Sequence, residues 1–349
     1  MLRSNLIYIL FFSILFILFA ATINWKNEKI KFVTPKGWPK PHYNFKNNPI
    51  TLKGFELGRE LFYDPILSSD SSTSCAGCHL AFTAFTHADH RVSHGIQGLL
   101  GTRNSLTLIN LAWNTSFMWD GGVSNLEEQA INPITNPVEM NSKLADVVSK
   151  LNQSHKYKML FYKAFKDSAI TPQHLLKSLA QFTSNLVSCN SKYDSVMRKE
   201  KHVAFTAQEL NGYNVFKRNC SSCHAEPLFT NFKYENNGLA IDTSFKDIGR
   251  MKITKNKSDS LQFKVPTLRN IEFSAPYFHD GRFNKLKEAI EHYTSGIVDS
   301  PTLAAQLKNK INLSKEEKKD LLIFLKTLTD KPFLYNVQFR QNISLSAKD

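Results

Sequence analysis

Two copies of Cys-x-x-Cys-His constrain this 349-residue chain more than any other feature: Cys75-Ala-Gly-Cys78-His79 and Cys220-Ser-Ser-Cys223-His224, 145 positions apart. A lone Cys-x-x-Cys is compatible with a redox dithiol or half of a zinc site. Two copies that both end in His match the attachment signature of c-type haem. Thiols three positions apart reach the two vinyl groups of one porphyrin, and the following His takes the iron as proximal ligand. The expected cofactors are two covalently bound haem c groups. The fifth cysteine, Cys189, follows an apolar helical stretch and reads as a buried free thiol.

The N-terminus agrees with this chemistry, because haem c is attached after export. Leu6 to Ala21 is an apolar run broken only by Ser13, with Arg3 before it and Lys26 and Lys29 after it. Residues 1–24 therefore read as a signal peptide or an uncleaved N-terminal anchor. The expected location is the periplasm, soluble or tethered by that helix.

Helical periodicity dominates the rest. Phe55, Leu57, Leu61 and Phe62 share helical spacing within 54–63. A short helix is expected from Leu126, broken by Pro133 and Pro137. Residues 144–151 and 174–188 read as amphipathic helices. Thr206 with Glu209, and Ser314 with Glu317, form capping boxes that open two more. Residues 64–104 look loop-rich, and strand signals are weak throughout. The expected fold is mostly α, with two cytochrome c-like haem domains in tandem and long loops. Their expected limits are 45–200 and 205–335, divided near residues 198–205, in the charged run Arg-Lys-Glu-Lys-His that begins at Arg198.

The formal charge of +14 raises the question of nucleic acid. Residues 1–204 carry 22 basic and 14 acidic groups, and residues 205–349 carry 22 and 16. A nucleic-acid binder concentrates its charge on one element; here it is spread evenly, so no nucleic-acid partner is expected.

Around the two motifs stand Leu-Gly-Arg-Glu-Leu-Phe-Tyr-Asp (57–64), Gly-Thr-Arg-Asn-Ser-Leu-Thr (101–107) and Leu-Glu-Glu-Gln-Ala (126–130). Asn-Pro-Val-Glu-Met (136–140), Phe-Lys-Val-Pro-Thr-Leu-Arg-Asn (263–270) and Ala-Pro-Tyr-Phe-His-Asp-Gly-Arg (275–282) complete the set. From Leu57 to Thr329 the chain closely resembles the bacterial di-haem cytochrome c peroxidases, which include MauG-like enzymes.

The resemblance implies roles for particular residues. The haem on His79 would be the peroxide site, with Glu139 as acid/base and Gln129 as a polar residue orienting peroxide. Trp119 would lie between the haems as an electron relay. The haem on His224 would receive electrons from a small cytochrome c or cupredoxin. Asn104, with the carbonyls of Ser274 and Pro276, would hold a calcium ion between the haems. Read alone, Glu139 is a loop carboxylate, Asn104 a turn residue and Trp119 a core residue.

The chain departs from the family pattern at two places. Where peroxidases commonly supply a Met ligand to the second iron, this chain has Tyr293, as in the MauG-like branch; His292 and Met251 are the alternatives. In many members a distal His blocks the peroxide site until reduction. Here His87, His90 and His94 occupy that loop, His94 nearest the expected position, and a five-coordinate, open N-terminal haem is expected. Three functions follow: hydrogen peroxide reduction, MauG-like oxidation of a partner protein, or electron carriage without catalysis. Membrane anchoring and homodimerisation stay open.

Overall fold

The computed structural model describes residues 27–167 and 169–341. The expected signal or anchor at 1–24 lies outside these residues. Among the described residues, no helix is long and apolar enough to cross a membrane.

The chain is mostly helical. The first half contains α1 (Leu52–Tyr63), α2 (Cys75–Cys78), α3 (Ile131–Thr135), α4 (Leu144–Gln153), α5 (His155–Phe165) and α6 (Pro172–Ser184). The second contains α7 (Lys192–Met197), α8 (Ala207–Asn219), α9 (Met251–Thr254), α10 (Leu286–Glu291), α11 (Lys315–Lys326) and α12 (Lys331–Leu334). A two-residue antiparallel pair joins β1 (Tyr234–Glu235) to β2 (Phe263–Lys264), with Tyr234 opposite Lys264. Long irregular segments connect the helices.

The halves repeat one packing device. α1 buries Leu57, Leu61 and Phe62 against Leu179 and Phe182 of α6. Gly58 makes this crossing close, since a Cβ there would overlap the carbonyl oxygen of Ser178. In the second half α8 crosses α11, both opened by the expected capping boxes. Gly212 plays the part of Gly58: its missing Cβ leaves room for the carbonyl of Asp320. Phe216 and Phe324 fill this second core.

Two large apolar cores result among the described residues, with two smaller clusters around Trp113 and Leu303. The first collects residues from Ile50 to Leu186 and also Phe333 and Leu334 from α12. The second begins at Tyr193 and runs to Leu328. Packing therefore passes from one core to the other between Leu186 and Tyr193, ahead of the charged run at 198–202, and the C-terminal tail returns to the first core. Arg269, fully buried, pairs bidentately with Asp194 at 2.7 and 2.8 Å and packs over the Trp38 ring.

Three local expectations change. Pro133 lies inside α3 rather than ending it, because it is the third residue of the helix, where its missing N–H is not needed. The helix expected to reach 188 ends at Ser184. Beyond it the buried Asn110 side chain takes over both backbone groups of Ser188, donating to its carbonyl at 3.2 Å and accepting from its N–H at 2.9 Å. Cys189 consequently lies outside any helix and is half-buried, with a thiol that burial pushes up to about 11.

Candidate haem sites and the wall between them

Cys75–Cys78 folds as one helical turn and Cys220–Cys223 as a tight turn after α8, and the next amide closes each: His79 N–H donates to the Cys75 carbonyl at 3.0 Å, and His224 N–H to the Cys220 carbonyl at 2.9 Å. This turn puts both thiols and the imidazole of a motif on one side. The chain then loops back beneath each ring. His79 Nδ1–H donates to the Phe85 carbonyl at 2.8 Å. His224 Nδ1–H donates to the carbonyls of Phe229 at 3.2 Å and Pro266 at 3.1 Å. Phe85 and Phe229 are both fully buried and both left-handed, at φ 59° and 54°. A bulky residue held there is uncommon and marks a constrained loop.

These bonds fix the tautomer. A carbonyl only accepts, so Nδ1 carries the proton and the lone pair is on Nε2, as an iron-binding imidazole requires. Burial lowers both imidazoles to about 4, so they are neutral at pH 7. The thiols of Cys75 and Cys220 are pushed up to about 12 by burial, and each motif's second thiol lies beside its first. The donor set therefore fits a haem at each motif.

The surroundings of the two motifs differ. Cys75, Cys78 and His79 open into a cleft of about 640 Å3, part of it open to solvent, which Gln129, Glu139 and His94 also line. Glu139 stands in the turn after α3. Its Oε1 accepts from Asn136 Nδ2 at 2.8 Å, and burial raises its carboxyl above the usual value. Cys220, Cys223 and His224 line a larger cavity of about 1590 Å3, part of it open to solvent, with Tyr293, Trp119 and His279. Tyr293 lies in a π-helical turn, His292–Gly296, a distortion often found at functional positions. Burial raises its hydroxyl. His292 is turned away, with Nε2 on the Asn237 carbonyl at 2.9 Å. Met251, in α9, is not part of the cavity wall.

The segment after Arg103 separates the two spaces. Asn104, Ser105, Leu106 and Thr107 face the second cavity, while Leu108 faces the first cleft. Trp119 is buried against this wall, its indole N–H donating to the Asn104 carbonyl at 2.8 Å. Asn104 joins the halves: its N–H donates to the His279 carbonyl at 2.7 Å and its Nδ2 to the Pro276 carbonyl at 2.6 Å. Its Oδ1 is buried with no partner. Ser274 and Pro276 line the same cavity. Sequence reasoning did not find the stacking of His279 on Phe263, with centroids 3.6 Å apart, or the edge contact of His279 with Trp119. Nothing in the spacing of these residues signals an aromatic row.

The family model for di-haem cytochrome c peroxidases matches residues 52–202. The chain is 34% identical over 310 residues to the methylamine utilization protein MauG of Methylophilus methylotrophus, covering 85% of this chain and 88% of that one. It is 37% identical over 282 residues to cytochrome c551 peroxidase of Nitrosomonas europaea, covering 79% and 80%. Among solved structures, a MauG-like protein associated with microbial copper homeostasis superposes with a TM-score of 0.78 at 31% identity, covering 89% of this chain and 99% of that one.

Proposed function

Because this chain belongs to the di-haem cytochrome c peroxidase family, and is thereby a peroxidase-type oxidoreductase, we propose that it reduces hydrogen peroxide to water at the His79 haem. Electrons would come from a small periplasmic cytochrome c or cupredoxin through the His224 haem. The observation that carries this reading is the first cleft. A proximal His, two thiols, a carboxyl raised by burial and a primary amide converge on one space.

The bound haems supply iron that takes peroxide and stores electrons one at a time. The protein supplies the rest. Glu139 as carboxylate accepts a proton from the near peroxide oxygen and returns it to the far one, which promotes O–O cleavage. The Gln129 amide hydrogen-bonds peroxide and orients it. His79 and His224, each held by a backbone carbonyl, present Nε2 to iron. Trp119 lies against the wall between the sites, where an indole can relay electrons. Tyr293, in the same cavity as Cys220, Cys223 and His224, would ligate the second iron and leave Met251 free of it. An open first haem without prior reduction belongs to the same reading; His94, on the cleft wall, packs its ring against His87 and His90 with centroids 4.9 Å from each.

The division into domains 45–200 and 205–335, covalent attachment of haem c and residence in the periplasm belong to the same reading. So does a calcium ion at Asn104, Ser274 and Pro276, which the orphaned Asn104 Oδ1 supports, since calcium takes oxygen ligands.

Tyr293 favours one second reading, a MauG-like enzyme that oxidatively modifies a partner protein. An anionic oxygen ligand stabilises ferric iron relative to Met. Steady-state peroxide turnover by the holoprotein with a reduced small cytochrome c tests the first reading. Brisk turnover supports it. No turnover with that donor or a reduced cupredoxin, together with quinone formation in a candidate partner protein, would replace it with the second.

A further inference from the structure

The loop after the first motif carries three imidazoles that the proposed chemistry does not use. His87, His90 and His94 each offer a ring nitrogen, and these three atoms lie within 4.8 Å of one another. His87 and His90 stack nearly parallel, 4.8 Å between centroids and 4° between planes, and His94 meets both edge-on. His87 is 3% exposed and its Nδ1 has no hydrogen-bond partner. A buried unsatisfied nitrogen is unfavourable, and apolar packing would avoid it. His90 Nδ1 is turned to the Ala88 carbonyl at 3.3 Å, which leaves its Nε2 free.

The loop is held at Arg91, between His90 and His94, and again just past His94. Arg91 pairs with Asp242 and Asp280 of the second half, and its Nε donates to the Asp280 carbonyl at 3.0 Å. Ile96 N–H donates to the Glu139 carbonyl at 2.8 Å. Gly95 lies so close to Glu139 that a Cβ would overlap that backbone.

We propose that His87, His90 and His94 form a binding site for a late first-row divalent cation such as Zn2+ or Cu2+. Imidazole nitrogens suit these ions, and three of them leave coordination positions for water. Calcium and magnesium require oxygen ligands and would not be held. The site is distinct from both haem motifs, yet His94 is shared with the wall of the first cleft. An ion bound there would fix the His94 ring on the loop and bear on the cleft from the side of Glu139.

Chelator-stripped, untagged holoprotein should be titrated with Zn2+ against a chromogenic competitor, with both haems monitored by absorbance. The expected result is one tight equivalent per chain that excess Ca2+ and Mg2+ do not displace. His90→Ala, at the exposed ring, should weaken it by about 100-fold or more with haem content unchanged; His87→Ala should do the same. With Cu2+, nitrogen superhyperfine structure in the electron paramagnetic resonance signal should be lost in the same variants. Binding of Zn2+ by His90→Ala and His87→Ala at the parent's affinity would overturn the proposal, and so would a parent protein that cannot compete with the indicator. The readout is independent of peroxide turnover, so failure of the catalytic reading leaves it intact.

Discussion

The indole N–H of Trp119 is bonded to the backbone carbonyl of Asn104 at 2.8 Å, which ties the residue proposed to relay electrons to the residue whose Oδ1 is left without a partner. Asn104 in turn is bonded to the carbonyls of His279 and Pro276 in the second half, so the contact also sets how the two halves meet.

Trp119→Phe keeps an aromatic ring but removes the N–H donor and the indole. Peroxide turnover driven by a reduced donor should fall by about tenfold or more, equivalent to about 1.4 kcal/mol in the limiting barrier. Both haems should remain attached, and the pyridine haemochrome assay checks this. Undiminished electron transfer between the haems in rapid-mixing experiments would remove Trp119 from the path.

Glu139 is expected to show itself in a pH profile. Burial raises its carboxyl above the ordinary value of 4.5, against a smaller opposing pull from Asn136. The carboxylate is the form that accepts the proton. Turnover should therefore decline as pH falls through that raised value, which puts the acid limb above pH 4.5. Glu139→Gln should lower turnover by about 100-fold or more and abolish the limb. A Gln variant that keeps the parent's profile would mean that another group moves the proton.

Replacing Tyr293 separates the candidate ligands of the second iron. Tyr293→Phe should remove a tyrosinate-to-iron charge-transfer band and raise that haem's potential, because an anionic oxygen ligand favours ferric iron. Met251→Ala should change neither, since Met251 is absent from the cavity wall. Potentiometric titration with spectra of each haem distinguishes the two outcomes.

Asp194 and Arg269 give a stability test away from the haems. Burial alone would raise the Asp194 carboxyl, but bonds from Arg269 and Ser191 outweigh it and hold it below the usual 3.8. A depressed acid contributes stability above its unfolded value and loses it as pH falls through the folded value, so this contribution should fade only below pH 3.8. Asp194→Ala leaves a buried guanidinium unpaired and should lower stability by about 3–5 kcal/mol at pH 7. Denaturant unfolding of parent and variant measures the difference. A loss under 1 kcal/mol would show that the Pro227 carbonyl, which also accepts from Arg269, is enough for it.

Sequence by itself determined whatever depends on neighbours along the chain. The two Cys-x-x-Cys-His turns are local because thiols and imidazole must lie within one helical turn to serve one porphyrin. The capping boxes at Thr206 and Ser314 are local because side chain and orphan amide are three residues apart. Helical periodicity found α1 within two residues. What escaped was set by contacts distant in sequence. Ser184 ends α6 because Asn110, from far upstream, receives the chain beyond it. The crossings at Gly58 and Gly212 exist only when a partner helix arrives. The tautomers of His79 and His224 depend on carbonyls whose orientation follows from left-handed Phe85 and Phe229, and no sequence pattern announces an aromatic residue in that conformation. The wall that sets Trp119 on Asn104, and the loop that gathers His87, His90 and His94, were decided by the tertiary structure alone. Hydrogen bonds and coordination act over about 3 Å in space, and only folding converts separation along the chain into that distance.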